Sequence, residues 1–418
     1  MNRRRKKNMN PARRKAATLL HSPYFFRHVA DAVHKMGLVG ERRNALVVFV
    51  VAVSRLLARP LNLLVRGQSS AGKNFLAKTV LRLFPEDCVF EISSQSERAL
   101  NYLQEESLKH KVIYIFEFGD RGGSARPNRL LLSEGKLVHW ATTPGRGGMG
   151  TERKVTAGPV ASISTTTAEK LEVDDESRHL STWLDESTEQ TKRIALARAR
   201  NNQAGLKKED LKAWHEVQRL LKRRSRYPIK LPEWFSRLVE SLPAHDVRVR
   251  RYFPAFLQAC KTVCLIRSFR LDGKKVRKRG KLTVTFVDFA VAALIFDSVF
   301  VESLKRLGGQ KVETRRNVEA ISSENEGRPV NASQFAEKLG ISFDVACKRL
   351  RDAVRAGTVR RANPVEQDNR KLYLPAPPQR FVPDPRKIFS TLHRSRNKSK
   401  FVHPLTGKWQ VYEWFEDE

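Results

Sequence analysis

The sequence predicts an α/β fold, with a mostly parallel sheet around a phosphate-binding loop, a helical lid after it and a C-terminal winged helix. Three observations carry this expectation. Gly67, Gln68, Ser69, Ser70, Ala71, Gly72, Lys73 and Asn74 fit the pattern Gly-x4-Gly-Lys, set between a short apolar run and a helical stretch. Apolar runs at Leu61–Val65, Val112–Phe116 and Val160–Ile163 alternate with helical patterns, as strands of a parallel sheet do. Asn331–Leu339 and Phe343–Ala356 show helical spacing about a turn at Gly340, and two strand-like runs follow them.

Taken in order, residues 1–17 form a basic arm, and residues 18–58 a helical segment punctuated at Gly37 and Gly40. Residues 59–205 hold the phosphate loop and the strand candidates. Residues 206–312 read as a helical lid with basic insertions, built on apolar-periodic helices at Val249–Ile266 and Val287–Leu304. Residues 313–376 form the winged helix, with strands at Thr358–Arg361 and Lys371–Leu374. Residues 377–418 read as a Pro-rich basic tail.

Composition narrows the class of partner. Lys and Arg number 79 against 44 Asp and Glu, a formal net charge of +35. Self-repulsion of this size suits a chain that meets a polyanion, and nucleic acid is the simplest one. Basic clusters stand at Arg3–Lys7 with Arg13–Lys15, Lys222–Arg226, Lys274–Lys281 and Arg394–Lys400. A ribosomal or membrane-surface protein shares such charge, so charge does not choose the reaction. None of Cys88, Cys260, Cys264 and Cys347 forms a Cys-x-x-Cys pair, which argues against a zinc ribbon. Sparse cysteine usage predicts a cytoplasmic protein. The most apolar run, Ala45–Val53, falls well short of the roughly 20 residues a spanning helix needs, so it predicts a buried helix and no membrane partner.

The phosphate loop has a direct chemical logic. Glycines let backbone amides turn toward phosphate oxygens, the next helix aims its N-terminus at them, and Lys73 reaches the β and γ phosphates. ATP with Mg²⁺ is the expected cofactor. Asn74 stands where Ser or Thr usually holds the metal, and its amide oxygen can ligate directly or through water. Glu117 ends the second strand and is the candidate for water activation and metal contact, with Asp120 as a helper. Ser162–Thr167 puts hydroxyls at the tip of the third strand, where an ordinary Ser/Thr turn is the competing reading.

The order of these elements resembles AAA+ ATPases related to minichromosome-maintenance helicases of phages and mobile elements. The similar stretches are Gly37–Glu41, Ser54–Pro60, the phosphate loop, His110–Glu117, Leu132–Gly135, Gly158–Pro159, Thr165–Thr167, Ser177–Arg178 and Asp185–Thr191. The resemblance implies that Thr165 is the first sensor and that Arg178 is an arginine finger reaching a neighbouring subunit's γ phosphate. It implies that Arg250 or Arg251, opening the lid helix, is the second sensor. It further implies that the Gly-rich hairpin within Leu137–Val155 grips DNA through Arg146, Arg153 and Lys154. On the second winged-helix helix, Lys348 and Arg349, with Arg351 and Arg355, are the candidates for a DNA groove, and Arg360 and Arg361 begin the wing. The implied function is an ATP-dependent DNA helicase or translocase in a homo-oligomeric ring, a hexamer, replicating a phage or mobile element. Two rivals stand beside it. One is an ATP- and DNA-binding switch or initiator that does not unwind, and the other is a small-molecule kinase using the same loop.

Overall fold

The computed structural model describes residues 10–92, 107–118, 125–145, 148–168, 171–200, 205–243, 246–271, 276, 279–305, 309–362, 371–376, 380–392 and 398–413. Three helices open it: α1 (Pro11–His21), α2 (Phe25–Lys35) and α3 (Arg42–Ser54). The Asn10 side chain caps α1 by accepting from the Ala12 N–H, with Pro11 in the first turn where its missing donor is harmless. Ala16 and Leu20 are buried. The chain expected to be an arm as far as residue 17 is therefore packed helix from Pro11, and Arg3–Lys7 lies outside the described residues.

Next come β1 (Asn62–Arg66), α4 (Lys73–Leu81), β2 (Val89–Ile92), β3 (Lys111–Ile115), α5 (Ala125–Glu134), β4 (Lys136–Gly145), β5 (Gly148–Ala157), β6 (Val160–Thr166), α6 (Val173–Glu176) and β7 (Leu180–Trp183). Five of these strands form one parallel sheet in the order β2-β3-β6-β1-β7. β6 is buried along its whole length, as a central parallel strand covered on both faces should be. β4 and β5 stand apart from the sheet as an antiparallel hairpin. Its base closes where the Gly158 N–H donates to the Gly135 carbonyl at 2.7 Å. A Cβ at Gly158 would meet that oxygen at 2.9 Å, so the close approach requires glycine.

The C-terminal half supplies α7 (Thr188–Ala199), α8 (Lys208–Arg224), β8 (Ile229–Lys230), α9 (Val249–Arg267), β9 (Leu282–Thr283) and α10 (Phe286–Lys305). α9 and α10 pack together, and α3 lies against both of them as well as against α4, β1 and β6. Cys260 and Cys264 are core residues of α9. Among the described residues, no helix is long and apolar enough to cross a membrane.

A second, smaller core follows, built from α11 (Gly309–Glu324), β10 (Val330–Asn331), α12 (Ala332–Leu339), α13 (Phe343–Arg355), β11 (Val359–Arg361) and β12 (Leu372–Pro375). The strands form an antiparallel sheet in the order β10-β12-β11. Asn331 and Gln334 make a reciprocal capping box at α12, and Gly340 ends that helix in the left-handed conformation.

Residues expected to be a basic tail are largely structured. α14 (Pro385–Leu392) and a hairpin of β13 (Lys398–Val402) and β14 (Trp409–Glu413) pack on the main core through Phe381, Ile388, Phe389, Phe401 and Tyr412. Phe381 stacks on Phe300 of α10 with centroids 4.9 Å apart and planes at 16°. The Asp297 carboxylate accepts from the Phe381 N–H at 2.8 Å and the Val382 N–H at 3.2 Å. The buried aromatics, invisible to a charge count, overturn the tail expectation. Phe381→Ala should cost about 3–5 kcal/mol, seen as a lower urea midpoint for the main unfolding transition. An unchanged midpoint would mean that the segment is not part of the core.

Candidate nucleotide site

The Gly67–Asn74 loop joins the C-terminal end of β1 to α4. Gly72 precedes α4 at φ 92°, a left-handed turn that glycine enters without strain. Lys73 is buried, and its ammonium donates to the Gly67 carbonyl at 2.9 Å and the Gln68 carbonyl at 2.6 Å. Burial lowers its pKa, partly opposed by the charges of Glu186 and Glu117. The Glu186 carboxylate accepts from the Gln68 N–H at 2.5 Å. A carboxylate oxygen thus takes the kind of backbone donor that a phosphate oxygen takes in such loops.

Strand order brings the other chemical groups in. β6 lies between β1 and β3, with Val65 opposite Thr165 and Ile115 opposite Ser164. The Thr165 hydroxyl donates to Asn74 Oδ1 at 2.8 Å, and the Tyr114 hydroxyl donates to the same oxygen at 3.1 Å. The Glu117 N–H points at Thr165 Oγ1 at 3.4 Å, and Glu117 is exposed just past β3 with φ 48°. The Asn74 and Thr165 side chains therefore touch and the Glu117 main chain joins them, while Asp120 lies outside the described residues. Asn74 and Glu117 offer oxygen donors, which suit Mg²⁺. Both lone pairs of Asn74 Oδ1 are already in use, so a bridging water fits there better than direct ligation.

Beside the loop lies a cavity of about 500 Å³, walled by Leu38, Val39, Phe75, Leu184 and Ile194, with Gln190 at its edge. Apolar walls against a phosphate loop suit a flat heterocycle. The wall is tied down from α3. Glu41 Oε1 accepts from the Asp185 N–H at 2.6 Å and its Oε2 from Asn44 Nδ2 at 2.6 Å, while Gln190 Nε2 donates to the Val39 carbonyl at 2.7 Å. Burial raises the Glu41 pKa. Sequence reasoning marked Gly37–Glu41 and Asp185–Thr191 without giving them a role, so the contact of Glu186 with the loop was not foreseen.

Arg178 lies elsewhere. It precedes β7, where its carbonyl accepts from Asn62 Nδ2 at 3.4 Å at the start of β1, roughly 13 Å of strand from that strand's own phosphate loop. Its guanidinium donates to Ser133 Oγ at 2.7 Å and to the Asp174 carbonyl. Arg251 donates to Ser177 Oγ, next to Arg178, and Arg250 is exposed on the same first turn of α9. His179 is fully buried beside these groups, and burial holds its pKa down at about 4.

Of the DNA-contact candidates, Arg146 lies outside the described residues. Arg153 is exposed on β5 and Lys154 is half-buried. Lys348 is exposed on α13, whereas Arg349 is half-buried and its charge bears on Glu313 of α11.

Residues 10–130 match the family described as MTBMA_p00010 P-loop domain. No curated protein matches the chain. With the parallel sheet and the loop geometry, that match defines a nucleotide-binding P-loop domain of the NTPase class. Excess MgATP should stabilise the wild type by about 2.7 kcal/mol at a hundredfold excess over its Kd, read as a thermal shift. Lys73→Ala should abolish that shift. Asn74→Ala should remove the acceptor shared by the Thr165 and Tyr114 hydroxyls and lower stability without nucleotide by about 1–3 kcal/mol. An unchanged Asn74→Ala melting temperature would refute the hydrogen-bond network described above.

Proposed function

We propose that the chain is an ATP-driven DNA helicase or translocase of the AAA+ class, related to minichromosome-maintenance helicases and working as a hexameric ring in the cytoplasm. The observation that carries this reading is the separation of Arg178 from its own phosphate loop by the length of β1. An arginine held there cannot touch its own γ phosphate, but it can complete the site of a neighbouring copy. Arg251 and Arg250 share that edge, which supports a second trans-acting arginine. An arginine reaching the transferring phosphoryl stabilises charge that develops in the transition state.

Other features agree. Thr165 stands between the loop and Glu117, as a sensor of the γ phosphate should. The hairpin of β4 and β5 precedes that sensor strand, as the resemblance implies. The helix and strand order from α11 to β12 supports a winged helix, with Lys348 exposed on its second apolar-periodic helix. The net charge of +35 supports a polyanion partner. A role in replicating a phage or mobile element follows from the resemblance alone.

A second reading has its own observation. Asn74 Oδ1 is occupied by two internal donors, which favours slow hydrolysis and a switch or initiator that holds ATP and DNA without unwinding.

Turnover of ATP with and without single-stranded DNA separates the two. The motor reading expects DNA-stimulated hydrolysis that falls by roughly 10³–10⁵ in Arg178→Ala and vanishes in Lys73→Ala. Mixed subunits of the two variants should regain part of the activity, because an Arg178→Ala subunit offers its intact loop to the intact finger of a Lys73→Ala neighbour, whereas the reverse pairing lacks both. Tight ATP and DNA binding without turnover would leave the switch, and no recovery on mixing would reject trans action.

A further inference from the structure

The hairpin of β4 and β5 carries a second feature besides its charge. Directly opposed residues of an antiparallel pair share a face. Leu137 and Thr156 oppose each other and are buried, so their face looks inward. The alternate pairs, Lys136 with Ala157, Val138 with Val155 and Trp140 with Arg153, define the other face. Trp140 is 62% exposed there. Lys136 and Arg153 are also exposed.

An indole left in water loses the benefit of its large apolar area. Its cationic neighbours argue against an apolar protein partner and for a polyanion with flat rings. Only an unpaired strand offers base faces and phosphates together, because duplex bases are already stacked.

We infer that Trp140 is a base-stacking platform for single-stranded nucleic acid, with Arg153 opposite it taking the neighbouring phosphate and Lys136, two residue pairs away on the same face, taking one further along the strand. This rests on the nucleic-acid reading of the hairpin and deepens it by naming an unassigned aromatic contact and a strand preference. The position of Arg153 fits this role. The Trp140 and Arg153 backbones are directly opposed, so a base on the indole places its phosphate within reach of the guanidinium.

The test is fluorescence anisotropy with a labelled oligodeoxythymidylate and an abasic strand of equal length and charge, read on full-length protein. Trp140→Ala should weaken oligodeoxythymidylate binding by roughly 5- to 150-fold and leave abasic binding unchanged. Trp140→Phe should keep most of the affinity, and Arg153→Ala should weaken both ligands. If the wild type binds neither strand, the nucleic-acid reading and this inference fall together. If the wild type binds and Trp140→Ala binds equally well, only the stacking role is overturned. Equal losses on both ligands would also overturn it, in favour of a purely electrostatic or structural effect. A Trp140→Ala protein with normal strand binding but a smaller assembly would assign the indole to a contact between copies instead.

Discussion

Asn44 to Ser54 are buried on every side of α3, so this helix needs apolar neighbours in all directions. β1, β6 and α4 supply them from the sheet, and α2, α9 and α10 supply the rest. Each fully buried Val, Leu or Phe along it contributes about 1.5–3 kcal/mol, which no surface contact of the molecule can match. Its C-terminal end is closed by Ser54, whose hydroxyl donates to the Val51 carbonyl at 2.6 Å and accepts from the Leu61 N–H at 2.8 Å. That closure delivers the chain into β1. At the other end Glu41 and Asn44 hold the wall of the base cavity. The first helices thus belong to the same body as the phosphate loop, and the family match starting at residue 10 agrees with this.

The sheet order then decides what can meet. With β6 between β1 and β3, one hydroxyl from its tip reaches both the helix after the loop and the end of the strand that carries Glu117. Neither neighbouring strand alone could bring Asn74, Thr165 and Glu117 together. Tyr114 adds a fourth group, its hydroxyl pushed up in pKa by burial, so it stays a neutral donor to Asn74. The departure from Ser or Thr at position 74 is therefore structurally absorbed: the longer amide bridges strands where a short hydroxyl would face a metal ion.

Much of this was legible in the amino-acid pattern. The loop, three central strands, the all-apolar helix at Ala45–Val53 and the paired helices around 250–305 follow from period and from glycine placement. The base cavity was not, because its walls come from Leu38, Phe75, Leu184 and Ile194, ordinary apolar residues far apart in sequence. The role of Glu186, inside a stretch the pattern did mark, was hidden for a related reason, since only the fold brings a carboxylate from beyond β7 onto the loop amide. The C-terminal segment misled through composition. Its prolines and cations describe a tail, whereas Phe381, Phe389 and Tyr412 decide where it goes. Charge patterning reports what faces water and says little about the four buried rings, Phe381, Phe389, Phe401 and Tyr412, that do not.

The hairpin and the phosphate loop are joined by a short, stiff path. β5 runs through Gly158 and Pro159 into β6, whose seven residues are all buried. At its start the Pro159 carbonyl accepts from the His110 N–H at 2.7 Å, which ties it to the beginning of β3. At its end Thr165 is tied to Asn74. A close-packed strand held at both ends shifts as a unit rather than bending. Under the proposed reading, nucleic acid sits at one end of this strand and the γ phosphate at the other. A change at Thr165 on hydrolysis then has a direct mechanical route to the hairpin base, where glycine alone fits and little slack exists. Such a route needs no distributed network, only the one central strand that the parallel sheet already encloses.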